Sequence, residues 1–166
     1  TVRELLPRVG RLHAVRIECH SYLPAWRPQR PYQQSYSARE GEGGVLRDLI
    51  HEIDYAGWLF GSPNALQARV SNLGRLGIDT EEIAEVMWEL SDGGVLSLAL
   101  DYLSQPSRRF LKACGEHGTV EWDGVNNGVT LHLVGCAPQV IRSSQTREEM
   151  LQAQARAFMD ACGGTP

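Results

Sequence analysis

Residues 81–103 of the chain read EEIAEVMWELSDGGVLSLALDYL, two segments of alternating apolar residues joined by the turn Ser-Asp-Gly-Gly. Side chains of a β-strand alternate between the faces of a sheet, so a period of two indicates a strand with one buried face. Glycines at the turn accept the positive φ angles of a tight hairpin. We therefore expect an antiparallel hairpin whose core face is formed by Ala84, Val86, Trp88, Leu90, Leu96, Leu98, Leu100 and Tyr102.

Similar patterns on both sides of this hairpin extend the prediction to a whole sheet. Glycine-containing turns separate several further strands, which we expect at residues 11–22, 65–73, 108–115, 118–123 and 129–134. Helical patterns are found at residues 2–9, about 44–60 and about 146–162. The predicted fold class is α+β, a largely antiparallel open β-sheet with helices packed on one face.

Composition predicts one globular domain that covers residues 1–166. With 42% hydrophobic residues, a chain of 166 residues is long enough to bury one core. A net charge of -4 gives no general attraction to nucleic acid or to anionic lipid, so neither is expected as a partner. No apolar run is long enough to span a bilayer. The four cysteines are scattered without zinc-site spacing, which predicts reduced thiols, no metal site and a cytoplasmic location.

Residues 43–55, GGVLRDLIHEIDY, place titratable side chains directly after two glycines. On one continuous helix, Asp48, His51 and Tyr55 are three and four positions apart and share a polar face. Gly44 leaves room for a ligand to approach the backbone closely. The predicted core stripe lies opposite, at Leu46, Leu49, Ile53, Ala56 and Phe60. The pattern favours proton transfer by His51 and Asp48, with Gly44 and Tyr55 against the substrate.

Each of these residues also has a structural interpretation. His51 fits a surface histidine, and Asp48 fits a partner of a neighbour such as Arg47. Glu52 is expected to be structural. In the same way, Arg108 and Arg109 are expected to pair with acidic side chains on the sheet surface rather than to bind a ligand.

Residues 22–39 form a proline-rich loop in which aromatic residues and arginines alternate. Its three prolines cannot continue a β-ladder. Arginine forks bind carboxylates and phosphates through two parallel hydrogen bonds, and an aromatic ring offers a flat surface to a sugar. The loop therefore predicts a binding surface for a sugar that carries a carboxylate or phosphate. Its aromatic residues are Tyr22, Trp26, Tyr32 and Tyr36, and its arginines are Arg27, Arg30 and Arg39. The alternative is that these aromatics pack on another domain or subunit.

Five segments of the chain occur in an order that resembles a known family. The segments are Tyr22-Leu23-Pro24-x-Trp26-Arg27-Pro28, Ser35-Tyr36-Ser37-Ala38, the helix motif from Gly43 to Gly61, Asp101-Tyr102-Leu103 and Gly118-Thr119-Val120-Glu121-Trp122. They resemble the C-terminal domain of the glucose-fructose oxidoreductase, inositol dehydrogenase and MocA family of NAD(P)-dependent oxidoreductases. The helix motif is the specific part of this resemblance.

The resemblance implies a substrate-binding and oligomerisation domain that works beside an N-terminal Rossmann domain carrying NAD or NADP. The chain lacks both a G-x-G-x-x-G motif and a Glu-Lys-Pro segment, so we expect that the Rossmann domain is absent, that no residue here binds the cofactor, and that the chain alone is inactive. The substrate is expected to be a sugar or sugar acid, and the partners to be the Rossmann domain and further copies that pair through the sheet.

The resemblance also assigns the catalytic pair to Asp48 and His51. Oxidation of a sugar carbinol needs a base for the hydroxyl proton, and an imidazole with an unperturbed pKa of about 6.5 suits this task. Three steps separate Asp48 from His51 where inositol dehydrogenases have four, so the role of His51 transfers more directly than that of Asp48.

Two other functions stay open at this point. One is a non-catalytic subunit-interaction module with a vestigial site, since Ile83 and Met87 lie among acidic residues on the outer strand face. The other is glycoside cleavage with a tightly held cofactor.

Overall fold

The computed structural model describes residues 1–164 and contains one sheet of eight strands. The strands are β1 (Leu12–His20), β2 (Leu66–Ser71), β3 (Ile83–Glu89), β4 (Val95–Asp101), β5 (Arg108–Gly115), β6 (Gly118–Asp123), β7 (Gly128–Leu133) and β8 (Gln139–Arg142). The helices are α1 (Val2–Leu5), α2 (Val45–Asp48), α3 (Ile50–Phe60) and α4 (Arg147–Cys162). The structure confirms the α+β class and the open sheet.

The strand order is β2-β3-β4-β1-β5-β6-β7-β8. The central pair β1–β4 is parallel, and every other neighbouring pair is antiparallel. The predicted hairpin at residues 81–103 is confirmed as β3 and β4, which pair from Ile83 with Asp101 to Glu89 with Val95. The parallel pair and the short edge strand β8 were not predicted from the sequence.

One face of the sheet carries the core. Its central apolar side chains are at most 1% exposed, and they include Val15, Ile17, Leu96, Leu98, Leu100, Tyr102 and Leu111. The opposite face is polar, with ion pairs between neighbouring strands such as Lys112 Nζ to Glu121 Oε1 at 2.8 Å. The period-two pattern of β3 and β4 is confirmed, since Ala84 and Trp88 are buried while Glu85 and Met87 are exposed.

The core face is covered by α2, α3 and the loop that precedes them. Leu23, Ala38, Val45, Leu49 and Ala56 from this layer are all buried against the strands. A smaller cluster under α1 joins Leu5 and Val9 to the far end of the sheet.

The last helix, α4, does not belong to this covering layer. Thr146 and Glu149 form the predicted capping box, with the Glu149 N–H donating to Thr146 Oγ1 at 3.2 Å. Residues 148–162 are nevertheless all exposed, with Phe158 at 68%. Within residues 1–164, α4 is therefore not one of the helices that cover the sheet. No helix in the described part of the chain is both long and apolar enough to cross a membrane.

Candidate functional site

Two closely packed glycines set the position of α2. Gly44 has a φ of 113°, which favours glycine, and a Cβ there would overlap the carboxylate of Glu81. Glu81 in turn accepts two hydrogen bonds from the first turn of α2: its carbonyl from the Val45 N–H and its Oε1 from the Leu46 N–H, both at 3.3 Å. A Cβ at Gly43 would overlap the backbone of the preceding loop. The space beside these glycines is thus filled by the chain itself, and the contact of Gly44 with substrate stays a prediction.

The helix that follows is interrupted at Leu49, which was predicted to lie within one continuous helix. Its φ of -104° and ψ of 21° end α2 at Asp48, and α3 begins at Ile50. Leu49 is 8% exposed, so its apolar side chain enters the core at the break. The prediction of one polar face shared by Asp48, His51 and Tyr55 is wrong, since His51 is exposed while Tyr55 packs against the core.

Asp48 is held by a tyrosine from the centre of the sheet. The hydroxyl of Tyr102, directly after β4, donates to Asp48 Oδ2 at 2.5 Å. Tyr102 is completely buried, and burial followed by the bond to Asp48 raises its pKa, so the phenol stays protonated at neutral pH. The Trp26 ring meets the Tyr102 ring edge-on, with centroids 5.6 Å apart. This contact connects Asp48 to the proline-rich loop.

His51 is exposed in the first turn of α3 and lines a depression of about 240 Å³. The walls of this depression include Ser21, Leu49, Glu52, Ser107, Arg108 and Arg109. The imidazole therefore faces a concave surface that has serine, arginine and carboxylate groups in its walls, instead of the apolar core. A side chain in this position can exchange a proton with a ligand that enters the depression.

Tyr55 points inward from α3, away from His51. Its ring meets Trp122 edge-on at 5.6 Å between centroids, and its hydroxyl is buried without a hydrogen-bond partner of standard geometry. Burial, followed by the neighbouring Glu52 carboxylate, raises the pKa of Tyr55. The prediction that Tyr55 contacts substrate has no support from this geometry, because its hydroxyl is covered by the sheet.

A buried ion pair lies beneath the first turn of α3. Glu52 is 2% exposed, and its Oε1 lies 2.8 Å from Arg109 Nη2 on β5. The Arg109 guanidinium also stacks over the Trp122 ring at 5.3 Å. Arg108 pairs with Glu18 on the open face, as predicted. Arg109 lies on the covered face instead, so its predicted place on the sheet surface is wrong.

The proline-rich loop lines a cavity with a volume of about 400 Å³. Of the seven predicted loop residues, four line this cavity: Trp26, Arg27, Arg30 and Tyr32. Ser35 and Ser37 line it as well. Trp26 is 36% exposed, and its Nε1 donates to Ser21 Oγ at 2.9 Å. Ser21 also lines the His51 depression, so Trp26 lies between the two concave surfaces.

The other predicted loop residues, Tyr22, Tyr36 and Arg39, lie outside this lining. Tyr36 is 45% exposed on a turn of 3₁₀ helix, and Tyr22 is half-buried against the core. Their roles in substrate binding stay predictions. The loop cavity and the His51 depression together present arginines, an aromatic ring and an imidazole, a set that can bind a polar, anionic ligand and exchange a proton with it.

Comparison with known proteins adds the evolutionary relationship. Residues 1–121 match the family model described as GFO/IDH/MocA C-terminal domain. The chain belongs to the GFO/IDH/MocA family. This confirms the resemblance read from the helix motif and the loop segments. No curated protein gives a significant match.

Solved structures share the fold of this GFO/IDH/MocA domain at low sequence identity. An inositol dehydrogenase homologue from Azotobacter vinelandii, complexed with NAD+, is 13% identical, with a TM-score of 0.72 over 88% of this chain and 41% of that one. An oxidoreductase from Agrobacterium radiobacter, in complex with NAD+, L-tartaric acid and magnesium, is 17% identical, with a TM-score of 0.76 over 98% and 51%.

A third structure is the UDP-N-acetylglucosamine 3-dehydrogenase from Acidithiobacillus ferrooxidans. It is 16% identical, with a TM-score of 0.72 over 98% of this chain and 49% of that one. The chain thus spans about half, or less, of the length of the structures it matches. The similarity at these identities establishes the fold.

The Gly43-Gly44 pair does not form a pyrophosphate site. It is the only glycine pair that precedes a helix within residues 1–164, and Oε1 of Glu81 already accepts the Leu46 N–H at that helix N-terminus. A pyrophosphate group would meet this carboxylate at the place where it needs free N–H donors.

Proposed function

We propose that this chain is the substrate-binding half of an NAD(P)-dependent sugar or polyol oxidoreductase. The observation that carries the proposal is the exposed imidazole of His51, which lines a depression next to the arginine-lined loop cavity. Membership of the GFO/IDH/MocA family and the dehydrogenases among its structural relatives support the same reaction class.

In this proposal His51 removes the proton from a substrate hydroxyl. A neutral imidazole accepts that proton near neutral pH and returns it in the reverse reaction, so one residue serves both directions. Asp48, held by Tyr102, supplies a carboxylate for the reaction. NAD or NADP, held mainly by a Rossmann domain outside this chain, would supply the acceptor for the hydride. The chain alone has no dehydrogenase activity.

The loop cavity favours a substrate that carries a negative charge. Arg27 and Arg30 both line it, and neither is paired with a carboxylate among the ion pairs of residues 1–164. Trp26 adds a flat aromatic surface against which a sugar ring can pack. The volume of about 400 Å³ lies within the range of small-molecule sites. A uronic acid or a related sugar acid fits these features.

The proposal is tested by the full-length protein and a panel of substrates. Absorbance at 340 nm reports formation of NADH or NADPH with inositols, neutral hexoses, uronic acids and nucleotide sugars. We expect turnover with at least one acidic sugar and a selective rise of its KM in Arg27→Ala. Turnover with neutral polyols only, unaffected by Arg27→Ala, would remove the acidic-sugar assignment. A complete lack of turnover in the panel would remove the proposed reaction.

The setting of the enzyme follows from the same features. All four cysteines are free, and the buried one, Cys19, lies in the core. Free thiols are the usual state of cysteines in the cytoplasm. We therefore place the enzyme in the cytoplasm.

A second candidate function is subunit assembly through the sheet. The outer face near β3 and β4 exposes Met87 (52%) and Val95 (42%) among acidic side chains, and exposed apolar groups of this kind favour pairing of copies. If assembly is the only function, the protein sediments as an oligomer and has no dehydrogenase activity. A monomer at micromolar concentration would remove this candidate, and Met87→Glu is the variant expected to break the pairing.

A further inference from the structure

Tyr102 connects the two halves of the candidate site from inside the core. Its hydroxyl donates to Asp48 Oδ2 at 2.5 Å, at the short end of the range for a bond to a charged acceptor. Asp48 is the last residue of α2, at the point where the helix breaks. The Asp48 carboxylate is therefore held by Tyr102 from the sheet. Contacts with other side chains of α2 are not needed to explain its orientation.

The same phenol contacts the loop that forms the larger cavity. Trp26 packs edge-on against the Tyr102 ring, with an interplanar angle of 90°. Trp26 lines the loop cavity, and its hydrogen-bond acceptor Ser21 lines the His51 depression. Tyr102 thus fixes the carboxylate of Asp48 relative to both concave surfaces, although it is completely buried itself.

We propose that Tyr102 is a positioning residue that orients Asp48 for the reaction and fixes its position relative to Trp26 and the loop cavity. This inference rests on the proposed function, since it requires Asp48 to act in the site. Tyr102 itself touches no substrate, because no part of its side chain is exposed. Its whole effect on turnover is therefore expected to pass through Asp48.

A double-mutant cycle on the full-length enzyme tests this dependence. Tyr102→Phe removes only the hydroxyl and keeps the ring against Trp26. We expect kcat to fall about tenfold, the factor that corresponds to a net hydrogen bond to a charged group, with KM little changed. In the Asp48→Asn background, Tyr102→Phe is expected to lower kcat no further. Coupled effects of this kind separate a positioning role from a general loss of stability.

Thr80→Val is the matched control, since it removes another buried hydroxyl, which donates to the Ser37 carbonyl at 2.8 Å. Thermal melting of every variant is measured alongside the kinetics. We expect Thr80→Val to lower the melting temperature as Tyr102→Phe does, and to leave kcat unchanged. Equal losses of kcat in both variants would show that Tyr102 acts only through stability.

The remaining outcomes are distinguishable. If the effects of Tyr102→Phe and Asp48→Asn on kcat multiply, Tyr102 does not act through Asp48 and the inference fails alone. If Asp48→Asn keeps the wild-type kcat, the inference fails while hydride transfer by the enzyme stands. If the wild-type enzyme shows no turnover with any sugar, the proposed function and the role of Tyr102 within it both fail.

Discussion

Removal of the Arg109 guanidinium tests the buried ion pair under α3. Arg109→Met keeps the unbranched stem against Trp122 and deletes the charge that lies 2.8 Å from Glu52 Oε1. Among residues 1–164, Arg109 is the only cation paired with Glu52, whose side chain is 2% exposed, so the variant leaves the carboxylate unpaired in a region that water hardly reaches. Glu52→Gln is the complementary change, and it leaves a guanidinium that can turn toward solvent because its side chain is 40% exposed.

The expected loss of unfolding free energy follows from the burial of the two side chains and the distance between their charges. At an effective dielectric constant of about 20, two unit charges this close attract by about 6 kcal/mol, and desolvation of both ions offsets most of it. Removal of one partner from a fully buried pair costs about 3–5 kcal/mol. Since Arg109 is 40% exposed, we expect about 2–3 kcal/mol for Arg109→Met and about 1 kcal/mol for Glu52→Gln.

The assay is urea unfolding at pH 7, followed by far-UV circular dichroism, for both single variants and the double variant. The double variant is expected to lose at least about 1 kcal/mol less than the sum of the two single losses, because it leaves no unpaired charge. Lys112→Met is the matched control: it breaks the pair with Glu121, also 2.8 Å long, whose side chains are 41% and 29% exposed. We expect that loss to be below about 1 kcal/mol. Equal losses in Arg109→Met and Lys112→Met, or strict additivity in the double variant, would refute the reasoning.

Two further predictions concern the core and the helices. Burial, followed by the nearby Glu52 charge, raises the pKa of Cys19 from 9.0 to about 12, so iodoacetamide at pH 8 is expected to label Cys136 and Cys162 and to spare Cys19 in the native protein. Because the pKa of Cys19 is raised in the folded state, the free energy of unfolding falls as the pH rises from about 9 to about 12. Cys19→Ala is expected to make this fall with pH less steep. If the pH dependence is unchanged in the variant, Cys19 is not its source. Gly44→Ala is expected to destabilise the chain by about 2 kcal/mol, owing to its φ of 113° and the overlap with the Glu81 carboxylate. Gly57→Ala in α3, where a Cβ meets no atom within 4 Å, is expected to stabilise the chain by up to about 1 kcal/mol. A higher urea midpoint for Gly44→Ala than for Gly57→Ala would contradict both expectations.

Local sequence patterns predicted most of the sheet because each strand carries its own signal. The alternation that places Ala84 and Trp88 on the core face depends only on the two-residue period of a strand. Pairing between distant strands has no such signal. The parallel register of β1 and β4, in which Ile17 faces Leu98, depends on how the whole chain packs. For the same reason, the helical pattern of α4 predicted where the helix begins and ends and its capping box, but it did not indicate which surface the helix packs against.

The candidate site shows the same division. The residue types at Asp48 and His51, and the place of Tyr102 on the core face, follow from the sequence. The partner of Asp48 and the break at Leu49 do not, since a helix pattern alone predicts a continuous helix. Glu52 reads as a structural residue in the helix motif, but its partner Arg109 lies on a strand far along the chain. A charged residue placed between core positions of an amphipathic helix was the available signal for this pair.

The most direct test of the account is the turnover of His51→Ala in the full-length protein, measured at 340 nm with the best acidic sugar from the panel. The account predicts that kcat falls by at least about 100-fold, the low end for lost acid–base catalysis, while the affinity for the nicotinamide cofactor is unchanged. A kcat within a few-fold of the wild-type value would contradict it, because the exposed imidazole over the depression could not then be the group that transfers the proton.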